Sequence, residues 1–249
     1  MADNGSTDGT LDDLQRNTRL RVFSLEERLS WFASTQNPLS TAEARADFAR
    51  HGSTLDWLAA LVQTPYFVTL DSDVEFLRDG WLSEMLSLLQ DENLDAVGEY
   101  EPGFPLAGGP DGTGYRPRLA PHLLLLRTAA FRPIHASFRG FCYTRTEEET
   151  RRWLAISDRR CLTPADLEGF RTLTIFDTGA YLFERLRGTG LRWMSTPDSI
   201  RLSAYKHLGH MSTVPADSAR NPRREDFLAA HADRMAYVAE RLRLYEVAT

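Results

Sequence analysis

Apolar residues along this chain come in short bursts between polar turns, and the spacing inside each burst predicts its element. Tyr66-Phe67-Val68-Thr69-Leu70 is rich in aromatic and β-branched side chains and too short for a helix, so it predicts a buried strand. Leu20 to Leu25, Ala96 to Tyr100, His122 to Arg127 and Leu173 to Phe176 predict further strands, and Ser199 to His207 predicts the last. Helical spacing marks a short helix through Leu11 and Leu14 that Thr7 or Asp8 would cap, then Thr41 to Val62 and Trp81 to about Leu89. It also marks Glu147 to Ile156, and Thr178 to Arg187, which Gly188 and Gly190 stop. Thr128 to Phe131 reads as a helix or turn, and a long closing helix is predicted from Phe227, Leu228, His231, Met235, Val238, Leu242 and Tyr245.

Strands alternating with helices predict an α/β fold. The segment from Glu101 to Pro121 collects glycines and prolines, which predicts a mobile surface loop outside the core that would cover a ligand. Only residues 213 to 224 read as a linker. At 249 residues the chain is long enough to bury the core of one such domain.

Composition narrows the function classes. A formal charge of -6 and a pI near 5.6 argue against a surface built to neutralise nucleic-acid phosphates or anionic lipid. Cys142 and Cys161 form neither a CxxC pair nor a framework spacing, so a zinc knuckle and a disulfide scaffold are both disfavoured. No apolar run is long enough to span a bilayer, and the first residues do not resemble a signal peptide, so a soluble cytoplasmic protein is expected.

Candidate chemistry begins where the strand 66–70 ends, at Asp71-Ser72-Asp73. Two carboxylates at the end of an apolar strand are costly without a compensating charge, and oxygen ligands favour Mg2+ or Mn2+, which bridge carboxylates to substrate phosphates. The competing reading is a helix cap or an acidic surface turn. Asp177, between a predicted strand and a predicted helix, is either a general base or the helix N-cap. His207 and His210 follow the last predicted strand, as metal or phosphate contacts or as packed loop histidines. His51 and Asp56 precede the metal strand among polar groups, and Arg116 and Arg118 in the Gly/Pro-rich segment are either phosphate partners or solvated surface.

The opening Asp3-Asn4-Gly5-Ser6-Thr7-Asp8-Gly9-Thr10, followed by Tyr66-Phe67-Val68-Thr69-Leu70-Asp71-Ser72-Asp73, resembles glycosyltransferase family 2. Pro121 to Arg132 resembles that family's acceptor-side strand and turn, and Tyr181 to Gly190 the helix after its catalytic-base loop, so the likeness covers residues 3 to 212. The resemblance implies a GT-A fold: a Rossmann-like, mainly parallel sheet flanked by helices, with a donor half over about 1–100, an acceptor half over 101–212, and residues 213–249 as a linker and a helix packed on the same domain. It implies an inverting, Mn2+- or Mg2+-dependent transfer from a nucleotide-sugar donor to an acceptor hydroxyl. Asp3 would contact the nucleotide base and Asp73 would hold the metal. Asp71 would bind the ribose or support the metal shell, and His51 and Asp56 would lie near the donor.

Two departures accompany the likeness. The family's opening strand-helix-strand has no counterpart before Asp3, so an N-terminally short GT-A domain is expected, and the family's acidic base pair aligns with Thr178 and Gly179, one step beyond Asp177. Two alternatives remain open. A nucleotidyltransferase would share paired metal carboxylates but needs basic residues in its glycine loop, which Asp3 to Thr10 lacks. A non-catalytic sugar-nucleotide-binding or partner module would bind without turnover.

Overall fold

Each element forms where local pattern and burial agree, and the departures occur where they compete. The structure, a computed structural model, describes residues 1–3, 9–33, 51–105, 114–134, 136–144, 173–207, 236, 237 and 240. In chain order its elements are helices α1 (Thr10–Arg16), α2 (Leu25–Ala33) and α3 (His51–Leu61), strands β1 (Tyr66–Leu70) and β2 (Val74–Phe76), and helix α4 (Trp81–Asp91). Strands β3 (Ala96–Glu101), β4 (Phe104–Pro105), β5 (Gly114–Tyr115) and β6 (Arg118–Arg127) follow, then α5 (Thr128–Phe131) running into a 3-10 turn over Arg132–Ile134. The remainder is β7 (Phe141–Thr144), β8 (Leu173–Phe176), α6 (Ala180–Gly188), β9 (Trp193–Ser195), α7 (Asp198–Ala204) and β10 (Tyr205–His207). These group into two units, Met1–Leu70 with Gly80–Pro197, and Asp71–Asp79 with Asp198–Thr249.

In the first unit, β6 is buried at every position from Leu119 to Leu126, the mark of a strand covered on both faces. It occupies the interior of a sheet ordered β1-β6-β3-β9. Leu124 and Leu126 meet Leu55 and Ala59 of α3, Leu182, Phe183 and Leu186 of α6, and Phe138 in one cluster. Helix α4 buries Met85 and Leu89 and packs against β3. Each leucine so buried contributes roughly 1.5–3 kcal/mol. A second sheet is ordered β4-β5-β8-β7.

The sheets are mixed, where a mainly parallel sheet was expected. Among the described residues only β3·β9 and β5·β8 pair parallel, while β1·β6, β3·β6, β4·β5 and β7·β8 are antiparallel. In the first sheet the cause is β6, whose apolar run demands the interior and enters it against the direction of both neighbours. Because β1 and β3 both oppose β6, and β9 runs with β3, the strands β1, β3 and β9 point the same way. Strand β1, expected to be buried, lies at the end of this order with only Thr69 fully covered and Leu70 exposed.

The expected surface loop from Glu101 to Pro121 instead supplies β4, β5 and the start of β6, with Leu119 and Ala120 in the core. Residues 106–113 lie outside the described ones. Pro121 is accommodated where the β3·β6 register shifts between Gly98 and Tyr100, so no ladder N–H to β3 is missed there. The Pro121 carbonyl accepts the Thr69 hydroxyl at 2.6 Å.

Three further expectations change. Leu20 to Leu25 makes only a parallel bridge between Ala2 and Phe23, because Ser24 and Glu27 form a reciprocal capping box that starts α2 at Leu25. Ser199 to His207 divides into α7 and β10: Ile200 and Ala204 are buried four residues apart, a helical spacing that alternation concealed. Helix α1 has Gly9, at φ 91°, as its N-cap residue, and the expected caps Thr7 and Asp8 lie outside the described residues. The predicted helix 147–156, the linker 213–224, and the predicted helical stretches 41–50 and 227–245, except residues 236, 237 and 240, also lie outside them. No helix among the described residues is long and apolar enough to cross a membrane.

The second unit pairs β2 with β10 antiparallel, joining Val74 to His207, Glu75 to Lys206 and Phe76 to Tyr205. Just beyond the ladder, the Leu77 N–H donates to the Ala204 carbonyl at 2.8 Å and Arg78 Nε donates to Ser203 Oγ at 3.3 Å. Ala236, Tyr237 and Glu240 are helical.

Candidate metal centre

Strand β1 ends at Leu70, and Asp71-Ser72-Asp73 turns the chain directly into β2. Cross-strand register then sets the third group: His207 stands opposite Val74, the residue after Asp73. Its Nε2 lies 3.4 Å from Asp73 Oδ1. One carboxylate oxygen from each aspartate and one imidazole nitrogen all fall within 4.8 Å of one another. Asp71 and Asp73 are half-buried, while the His207 side chain keeps 31% of its surface exposed.

This donor set suits a hard or borderline divalent cation. Carboxylate oxygens fit Mg2+ and Mn2+ alike, and the imidazole moves the preference toward Mn2+. Three ligands from the chain leave about half of an octahedral shell for phosphate oxygens or water. A divalent ion here would offset the repulsion of two clustered carboxylates.

The opposite face of the ladder is also polar. Glu75 and Lys206 are direct cross-strand partners, Tyr237 donates its hydroxyl hydrogen to Glu75 Oε2, and Lys206 Nζ lies 3.4 Å from the Tyr237 ring centroid. Sequence gave no signal for this trio, since Glu75 and Tyr237 are 162 residues apart.

Other candidate residues have partners of their own. Asp3 is buried; its N–H donates to the Phe23 carbonyl at 2.9 Å and its carbonyl accepts Arg28 Nη2 at 2.5 Å. Arg28 is fully buried and also donates to Thr54 Oγ1 at 2.8 Å. Burial pulls its pKa below the ordinary arginine value, and the negative charge of Asp3 opposes that shift. His51 is the exposed first residue of α3.

One turn further along α3, Asp56 accepts the Ser137 hydroxyl at 2.5 Å and the Phe138 N–H at 2.7 Å, and it lies 3.5 Å from Arg139 Nε. These bonds hold the 137–139 segment against α3, where a Cβ on Gly52 would come within 2.6 Å of the Phe138 carbonyl oxygen. His210 lies outside the described residues.

Asp177 is half exposed. Its Oδ2 pairs with Arg118 Nη1 at 2.7 Å and its Oδ1 accepts the Thr178 N–H at 2.7 Å. The N-cap of α6 is Gly179 at φ 85°, with no side-chain cap, so the capping alternative for Asp177 does not hold. Arg118 also pairs with Glu101 at 2.5 Å, and Arg116 pairs with Glu184, so both arginines sit on carboxylates. A further part-buried pair, His122 Nε2 with Glu99 Oε2 at 3.2 Å, had no signal in the linear pattern because it spans neighbouring strands.

No family model, curated protein or solved structure matches this chain.

Proposed function

We propose that the chain is a metal-dependent glycosyltransferase of the GT-A type that moves a sugar from a nucleotide-activated donor to an acceptor hydroxyl with inversion. The observation that carries the reading is the convergence of Asp71, Asp73 and His207, whose ligand atoms lie within 4.8 Å of one another after a turn that follows a strand. The chain order supports it, because Asp71 follows directly on the last residue of β1, and ligands of open α/β sheets bind beyond the carboxyl ends of strands.

Asp71, Asp73 and His207 would hold Mn2+ or Mg2+ together with diphosphate oxygens. When bound, the cation supplies charge neutralisation to the departing nucleoside diphosphate. By the family resemblance Asp177 would be the base: its carboxylate would take the acceptor hydroxyl proton as that oxygen attacks the anomeric carbon and the bond to the diphosphate breaks. Arg118 and the Thr178 N–H restrict the carboxylate to one orientation.

Calorimetry with nucleoside diphosphates tests the reading. Binding is expected only with Mn2+ or Mg2+ present, and Asp73→Ala should abolish it; metal-independent binding, or an unchanged Asp73→Ala variant, would sink the proposal.

One observation favours a second reading, a sugar-nucleotide-binding module without turnover: both oxygens of Asp177 are already engaged. It expects metal-dependent nucleotide binding with no donor hydrolysis or transfer above background, whereas the enzyme reading expects turnover that Asp177→Asn removes.

A further inference from the structure

Among the described residues the β2–β10 ladder is three residue pairs long, and two-stranded ribbons of this size are marginal in water. Register matters greatly here. Alternation places Val74 and His207 on one face with Phe76 and Tyr205, and Glu75 and Lys206 on the other. A slip of one residue would carry His207 away from Val74 and turn its imidazole to the wrong face.

Tyr237 contacts both members of the pair that reports this register. Its hydroxyl donates to Glu75 on β2, and its ring lies 3.4 Å from Lys206 Nζ on β10. Opposite charges directly across a ladder stabilise their pairing, and a lysine over an aromatic face adds a cation–π attraction. Both contacts to the one side chain are made together only while Lys206 stands opposite Glu75.

We propose that Tyr237 is a positioning residue for the metal site: by clasping Glu75 and Lys206 on one face of the ribbon, it fixes the register that sets His207 beside Asp73 on the other. The inference rests on reading Asp71, Asp73 and His207 as metal ligands. Tyr237 thereby acts on the site through the ribbon, without itself supplying a ligand.

The experiment uses the full chain, Mn2+ alone as probe, and Tyr237→Ala beside Tyr237→Phe. Electron paramagnetic resonance of wild type should show bound Mn2+ with nitrogen coupling from an imidazole. Tyr237→Ala should bind Mn2+ about tenfold more weakly and lose the nitrogen coupling, in the range seen when outer partners of metal ligands are removed. Tyr237→Phe keeps the ring over Lys206 and should retain the coupling with a smaller loss of affinity. In the metal-free protein, the cross-strand NOE between Val74 and His207 should persist in wild type and Tyr237→Phe and vanish in Tyr237→Ala.

Unchanged Mn2+ affinity and an unchanged NOE in Tyr237→Ala would overturn the inference, as would weaker binding with the nitrogen coupling intact. Absence of Mn2+ binding by wild type would refute the metal reading, and the NOE comparison would still decide the role of Tyr237. Should the alanine variant not fold, Tyr237→Leu keeps apolar volume but neither contact, and carries the same expectations.

Discussion

Strand β6 and the β2–β10 ribbon are both held in register, by opposite means. Eight consecutive buried residues and a neighbour on each side leave β6 no other position, because a slip would exchange well-packed leucines for clashes and voids. The ribbon buries Tyr205 but leaves Lys206 and His207 exposed, and among the described residues Glu75, Lys206 and Tyr237 and the bonds from Leu77 and Arg78 support its register. Burial specifies the scaffold; polar contacts specify the candidate site. The division suits the proposed function, since a metal centre that is to admit phosphate must stay open to water.

The sharpest way to break the contrast is to strike the core and watch the site. Phe138 has no exposed surface and packs against Phe131 with ring centroids 5.7 Å apart. Phe138→Ala should cost about 3–5 kcal/mol in urea unfolding while the folded fraction keeps its Mn2+ affinity; a matching loss of affinity would erase the distinction. The reciprocal measurement is linkage at the ribbon. Mn2+ at about a hundred times its Kd should raise wild-type stability by about 2.7 kcal/mol and leave Asp73→Asn where it was. Equal stabilisation of both proteins would place the ion elsewhere.

Two smaller effects refine the picture of the first unit. Gly179 holds φ 85° ahead of α6, and a Cβ there would lie 3.0 Å from the Leu119 carbonyl oxygen. Gly179→Ala should therefore cost about 1–2 kcal/mol, read as a lower urea midpoint, and a neutral result would mean the turn adapts without strain. Least of all, Arg16→Ala removes an ion pair with Asp13 in which both side chains are 75% exposed. No measurable change in the midpoint is expected, and a clear loss would show α1 to be tied down by more than solvent-screened charge.

Much of the scaffold was legible in the chain. The strands over Tyr66–Leu70 and Leu173–Phe176 were read at their limits, and Trp81–Asp91 and Ala96–Glu101 came within a residue or two of their predicted ends. Each carries a dense local signal. Errors arose where two local signals competed. At Ser24 a capping box prevailed over the strand signal of Val22 and Phe23, and at Asp198–Ala204 buried positions four apart looked like alternation. Glycine and proline between 101 and 121 suggested a loop, yet β6 recruited the end of that stretch because its apolar run needed the sheet interior.

Of the candidate site, Asp71 and Asp73 were visible because they lie side by side after an obvious strand. His207 was named from its place after the last predicted strand, but its approach to Asp73 depends on a ladder between segments far apart in sequence. The pairing of Asp177 with Arg118, like that of Asp56 with Ser137 and Phe138, was equally hidden, since each partner comes from another element.

The sequence by itself determined which segments are strands and helices wherever one periodicity dominated, and which carboxylates end the strand over 66–70. Those features arise from contacts within a few residues. Tertiary structure alone decided the direction of β6, the mixed character of the sheets, and the meeting of Asp71, Asp73 and His207. Such features depend on which distant segment covers which face, and burial and register are settled only when the whole chain is in place.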